Sequence, residues 1–453
     1  MHILLIFALL AQSPAPQPSG RMVEKVACPS DPTQTYTLFL PPGYTTERRW
    51  PLLFVFDPRG RGTVAAEIFR DAAEKHGWII ASSDNTQSDG EWEPNRRAIA
   101  AMWPDVLSGY AVDPKRIYAA GFSGGAGVAW ALARETGAIA GVIAAGAPNP
   151  GNESPKPVHA AWFGAAGRAD FNFLDAKAID RRIADMGNAH RLEYFEGGHQ
   201  WLPRPLASRA VAWLEALAMK NGLRTRDAAA ASAMVADEMT AAQALESSSD
   251  LTGAYRTYAA IVETFDGIAD VAAARARIDA LGRDDRYKRA LRDESRADER
   301  EQARKGEVGA ALVRFMTGGI DTLPELLGAL RVTSLLENAQ RGGYDAAGAR
   351  RTLEQIFVQT SFYIWRDMEG KQDYRRAAIL LDVSVAIHAD RPNLWVNLAA
   401  DRARTGSKGA AMDALGRAVA AGYRDGGALE TDERFQSLRK MPEFIALVAK
   451  TKR

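Results

Sequence analysis

The stretch RIYAAGFSGGAGVAWALA, Arg116 to Ala133, runs apolar residues into Gly-Phe-Ser-Gly-Gly and then at once into a helix-like pattern. Such a serine does chemistry only on a sharp strand-to-helix turn, where neighbouring side chains must be missing for strand and helix to approach. Gly121 and Gly125 supply those absences around Ser123. The turn would strain the backbone at Ser123 and set it at a helix N-terminus, where developing negative charge is favoured. The hydroxyl is a poor nucleophile until a base takes its proton, and that base needs an orienting carboxylate. His199 suits the base: it follows HRLEYFE and the flexible Gly197-Gly198 in EGGHQW. His2 lies in the N-terminal apolar segment, His76 and His190 flank other elements, His159 falls inside a strand, and His388 belongs to the helical C-terminal half.

For the acid, Asp170 in GRADFNF stands just past the apolar run PVHAAWFGAAG, which gives the order Ser, acid, His. Asp175 is the alternative, at a helix start where capping would explain it. An oxyanion needs two backbone donors. Gly124, next after the serine, gives one. The other is expected from Asp57-Pro58-Arg59-Gly60-Arg61-Gly62; proline has no N–H, so Arg59 or Gly60 must donate, with Arg59 favoured. The chemistry is acyl transfer through a covalent serine intermediate, which requires no metal or organic cofactor.

The elements that must position these residues alternate in type. TYTLFLP (35–41), PLLFVFD (51–57), GWIIASSD (77–84), RIYAAGF (116–122), AIAGVIAAGAP (138–148), PVHAAWFGAAG (157–167) and HRLEYFEGG (190–198) read as strands. Helical periods fall at 64–77, 95–110 with a kink or break at Pro104, from Gly124, at 175–187 and at 203–221. The pattern predicts a mainly parallel sheet covered by helices on both faces, with reactive groups at the carboxyl ends of strands. Loops 84–94, 150–157 and 168–175 would shape an acyl pocket. Trp92, Trp162 and Trp201 fall in or near predicted loops, to line that pocket or to pack in the core.

Beyond about Lys220 strand signals vanish. The charged stretch 281–308 interleaves both signs at helical spacing and reads as a solvated helix face. Between 394 and 422, Trp395, Leu398, Ala399, Ala411, Leu415 and Ala418 stand where a tetratricopeptide repeat places its packing residues, with Gly406 in the turn. Residues 375–390 resemble the second helix of a degraded preceding repeat, and a weaker helical pair lies at 250–281. An all-α, tetratricopeptide-like domain is expected, whose stacked hairpins offer a surface for a protein partner.

With 453 residues, the chain is too long for one core. The divisions are an export signal over 1–20, a catalytic domain over 21–222 and the helical domain over 223–453. The apolar run Ile3–Ala11 is too short to span a bilayer, and small residues and prolines follow it, so a secreted or periplasmic protein with no stable membrane span is expected. Lys and Arg total 57 against 56 Asp and Glu, mixed along the chain, which gives no reason to expect a nucleic-acid partner. Cys28 is the sole cysteine, which excludes an intramolecular disulfide and a cysteine metal cluster; placed in an N-terminal strand, it is a poor candidate nucleophile.

Taken together, TYTLFLPPGY, the GFSGG turn, GRADFN and GGHQW resemble the α/β-hydrolase superfamily. They are most similar to secreted esterases of the polyhydroxybutyrate depolymerase and feruloyl esterase type, and to dienelactone hydrolase and prolyl-oligopeptidase relatives. The resemblance covers about residues 30–222. It implies Ser123 as nucleophile, Asp170 as acid, His199 as base, and a small-molecule or polymeric ester as substrate. Many of these enzymes carry His-Gly where this chain has Asp-Pro-Arg-Gly, a departure that falls on the second oxyanion donor. A prolyl-oligopeptidase-like peptidase would use the same triad, but no propeller-like β domain precedes this one. An inactive scaffold serving a partner-binding helical array is the other alternative, against which the intact Ser, acid, His order argues.

Overall fold

The computed structural model describes residues 17–147 and 158–451. Most of the expected export signal and the whole 150–157 loop lie outside these residues.

The strands are β1 (Met22–Cys28), β2 (Asp31–Phe39), β3 (Trp50–Phe56), β4 (Ile79–Ser83), β5 (Val112–Phe122), β6 (Ile139–Ala145), β7 (Ala161–Gly167) and β8 (His190–Phe195). Between and after them run α1 (Gly62–His76), α2 (Glu93–Gly109), α3 (Gly124–Thr136), α4 (Phe173–Asp185) and α5 (Arg204–Lys220). The strands form one eight-stranded sheet in the order β1-β2-β4-β3-β5-β6-β7-β8. β2 pairs antiparallel with β1 and β4, and every other pair is parallel. This is the α/β-hydrolase fold.

A strand covered on both faces must be apolar at every position, and every residue of β3 is buried. The pleat sorts them. Leu52, Phe54 and Phe56 join the core beneath α2, α3 and α4, whereas Leu53 and Val55 join the core beneath α1 and α5. Pro104 does not break α2, which runs unbroken from Glu93 to Gly109. A proline forfeits one backbone hydrogen bond, and Ala101, Met102 and Val106 around it are buried against the sheet.

The compact unit built on this sheet extends to Arg292. It includes α6 (Ala228–Ser247), α7 (Leu251–Phe265) and α8 (Ala272–Arg283). Side chains brace α6 and α7: buried Arg191 of β8 donates to Glu238 at 2.7 Å, Arg168 to Asp250 at 3.0 Å, and Trp213 of α5 to Thr264 at 3.1 Å. A cavity of about 570 Å³ remains between β8 and the α6–α7 hairpin.

The second unit, Asp293–Arg453, is all helical among its described residues. It opens within the helix Asp285–Met316, which carries most of the charged stretch. That face is not wholly solvated: Glu294, Ala297 and Glu301 are buried, because buried Arg351 donates to Glu301 at 2.9 Å and neutralises it. Near the C-terminus, helices Pro392–Arg404 and Lys408–Ala420 form a hairpin whose turn holds Gly406 at φ 80°. Trp395, Leu398, Ala399, Ala411, Leu415 and Ala418 are buried in one cluster there, and the preceding helix Tyr374–Ile387 adds Leu381 and Val385. No helix among the described residues is long and apolar enough to cross a membrane.

Candidate active site

β5 ends at Phe122 and α3 begins at Gly124, so Ser123 alone makes the turn between them. Its backbone takes φ 51° and ψ −124°, a region that costs a non-glycine residue about 1–3 kcal/mol. The turn is held by the Ser123 amide, which donates to the Ala145 carbonyl at 2.9 Å. It is also tight. A Cβ at Gly121 would meet the Gly125 carbonyl, and one at Gly125 would meet the Phe56 carbonyl.

The acid comes from the end of β7 and the histidine from the end of β8. Ala169 and Arg168, past β7, donate their amides to Gly197 and Phe195, which ties the acid loop to the histidine loop. His199 Nε2 lies 2.9 Å from Ser123 Oγ, and its Nδ1 lies 2.9 Å and 3.1 Å from the two oxygens of Asp170. Asp170 is fully buried, and its Oδ1 also accepts the Asn172 amide at 2.8 Å. Phe122 and Phe171 pack on the imidazole with centroids at 4.7 Å and 4.4 Å. The structure therefore brings Ser123, Asp170 and His199 into one relay. Asp175 lies instead in the first turn of α4, whose N-cap position is held by Asn172. Of the other histidines, His190 bonds Asp180 at 2.8 Å, His388 bonds Glu354 at 2.9 Å, His76 ends α1 and His159 is exposed, while His2 lies outside the described residues.

Gly124 occupies the first position of α3, where an amide has no intrahelical acceptor. The two amides expected to offer the second donor are both engaged within their own loop. The Arg59 amide is taken by its own loop's Asp57, whose Oδ1 accepts it at 2.9 Å, and the Gly60 amide donates to the Asp57 carbonyl at 3.2 Å. The physical reason is an Asx turn: an aspartate side chain reaches the backbone N–H two residues ahead.

Asp57 and Trp201 are the residues that sequence reasoning missed as a pair. Asp57 is fully buried; its Oδ2 accepts the Trp201 Nε1 hydrogen at 2.8 Å, and Arg61 donates to both carboxylate oxygens at 2.9 Å and 2.8 Å. Burial opposes ionisation of Asp57, but the hydrogen bonds from Arg61, Trp201 and the Arg59 amide outweigh it and hold the carboxyl below its usual range. The three tryptophans flagged by their loops divide: Trp162 is buried in β7, Trp201 anchors the histidine loop, and Trp92 is 41% exposed at the start of α2. Ser88, in the 84–94 loop, donates its amide to Pro58 at 2.9 Å and packs against Gly124.

Neither a protein-family model nor a curated protein matches the sequence. Solved structures do. FphF, a fluorophosphonate-binding serine hydrolase of Staphylococcus aureus, is 15% identical, with a TM-score of 0.36 over 44% of this chain and 99% of its own. A ferulic acid esterase is 17% identical, with a TM-score of 0.35 over 43% of this chain and 97% of its own. An esterase of Pyrobaculum calidifontis is 13% identical, with a TM-score of 0.36 over 44% of this chain and 86% of its own. These three are thus esterases and a serine hydrolase of the α/β-hydrolase type.

Proposed function

We propose that this protein is a serine hydrolase that cleaves carboxylic esters through an acyl-enzyme on Ser123. The observation that carries the reading is the continuous relay from Ser123 Oγ through His199 to buried Asp170, each link at hydrogen-bond distance. His199 accepts the Ser123 proton as Oγ attacks the ester carbonyl, and Asp170 holds the imidazole in the tautomer that leaves Nε2 free to accept. The tetrahedral oxyanion is stabilised by the Gly124 amide at the start of α3, with the helix dipole behind it. The Arg59 amide can join only by leaving Asp57, so Gly124 is the donor that the resting arrangement offers. His199 then returns the proton to the leaving alcohol, and water attacks the acyl-enzyme by the same route.

The chain is read as exported through its first 20 residues, and the helical region as a tetratricopeptide-like array that recruits a protein partner. The test of the enzymatic reading is labelling by a fluorophosphonate probe, which reports an activated serine without knowledge of the substrate. Labelling of the wild type that disappears in Ser123→Ala, with turnover of p-nitrophenyl acyl esters, supports it. An unlabelled, folded wild type sinks it.

A further inference from the structure

Two loops must hold a fixed relation for an acyl-transfer site to work: the loop past β3 and the loop that carries the histidine. Both are tied to one buried carboxylate. Asp57 Oδ1 gathers the Arg59 amide at 2.9 Å and the Arg61 amide at 3.4 Å, which curls the loop past β3. Its Oδ2 takes the indole hydrogen of Trp201, two residues beyond His199 in the chain, at 2.8 Å. Trp201 in turn packs on Phe122 at 5.7 Å and edge-on to Phe69 at 6.0 Å, and Phe122 packs on the His199 ring.

We infer that Asp57 is a positioning residue for the hydrolytic reaction, acting through Trp201 to fix His199 relative to the Ser123 turn while it sets the shape of the loop past β3. The inference rests on the proposed role of Ser123. Asp57 is placed to do this because it follows directly on β3, a strand buried at every residue, whose Phe56 carbonyl also abuts the Ser123 helix at Gly125. Loop, histidine and nucleophile are thereby referred to one rigid strand end. A bare stability role would not need this connectivity. Arg61 alone already neutralises the carboxylate, whereas the Trp201 bond adds a link that leads to the base. Asp57 makes no hydrogen bond to Ser123, Asp170 or His199, so its effect reaches the reaction through Trp201 and is expected in the rate of the chemical step.

The experiment compares wild type, Asp57→Asn, Trp201→Phe and the double variant in the full chain, on p-nitrophenyl acetate and with the fluorophosphonate probe. Trp201→Phe keeps an aromatic ring against Phe122 and leaves the Asp57–Arg61 pair intact, so it reads the link even if Asp57→Asn fails to fold. The expected result is a fall of about 10-fold in kcat for Trp201→Phe and up to about 100-fold for Asp57→Asn, the scale of a small misplacement of a catalytic group. KM should stay within about 3-fold, and probe labelling should slow in parallel. The double variant should be no slower than Asp57→Asn alone, because both cut the same link. Wild-type kcat and labelling rate in folded Trp201→Phe would overturn the inference, as would independent, multiplying losses in the double variant. A wild type that does not label at all refutes the Ser123 reading itself, a result distinct from either.

Discussion

His199 Nε2 and Ser123 Oγ stand 2.9 Å apart although they lie 76 positions apart in the chain. The serine reaches this point only by holding a positive φ, which its neighbours enforce and a free chain would avoid. That strain can be measured. Ser123→Gly should abolish ester turnover and labelling while it raises stability by about 1 kcal/mol, since glycine adopts the same backbone at little cost. Thermal melting of the two proteins should show a higher Tm for the inactive one.

Asp170 and Asp175 separate cleanly by isosteric change. Asp170→Asn offers His199 Nδ1 an N–H in place of an acceptor and favours the wrong tautomer, so kcat should fall by about 10⁴-fold with little change in fold. Asp175→Asn, in the first turn of α4, should stay within about 3-fold, because Asp170 and not Asp175 bonds His199 Nδ1. Steady-state kinetics on one activated ester decides both.

Glu215 of α5 is fully buried and anchors the sheet away from the relay. It accepts the Trp78 indole hydrogen at 2.6 Å and pairs with Arg116, at the foot of β5, and with Arg224. Glu215→Gln leaves the nearly buried Arg116 guanidinium without a countercharge, which should cost about 3 kcal/mol. Denaturant unfolding should show that loss, and kcat/KM at 25 °C should be within about 3-fold of wild type.

The helical unit has a pH dependence of its own. Asp401 is buried; burial first, and the Glu369 carboxyl beside it second, push its pKa up to about 8 from the ordinary 3.8. Trp365 donates its indole hydrogen to Asp401 at 2.9 Å, and Arg404 donates to Glu369 at 2.7 Å. A carboxyl raised on folding stabilises the protein when protonated. Its contribution is complete below about pH 4 and is lost as pH rises through about 8. Amide exchange in Pro392–Arg404 should therefore be less protected at pH 9 than at pH 6 after correction for intrinsic rates, and Asp401→Asn should flatten the difference.

Much of this site was legible in the sequence because its signals are local. Gly121, Ser123 and Gly125 announce a turn that only missing side chains allow, and Asp170 and His199 each follow a strand-like segment that ends at the same sheet edge. The Asp57–Trp201 bond was not legible. It joins residues 144 positions apart, and neither type at its position signals the other. The engagement of the Arg59 amide was not legible for a related reason: counting donors in a loop does not reveal that the loop's own aspartate will claim one. Glu301 likewise read as a surface charge because its partner, Arg351, is 50 residues away.

The bracing of β8 by α6 and α7 has a consequence for solubility. A sheet's outer strands are templates on which other chains can grow. At one margin β1 breaks its register between Val23 and Val26, where Lys25 turns to φ 55°. At the other, Arg191, Arg168 and their carboxylate partners hold a helical hairpin across β8. A chain cut after Gly222 would keep the whole relay and lose this cover. It should fail first by clumping at concentrations the full chain tolerates, with light scattering rising before ester turnover declines.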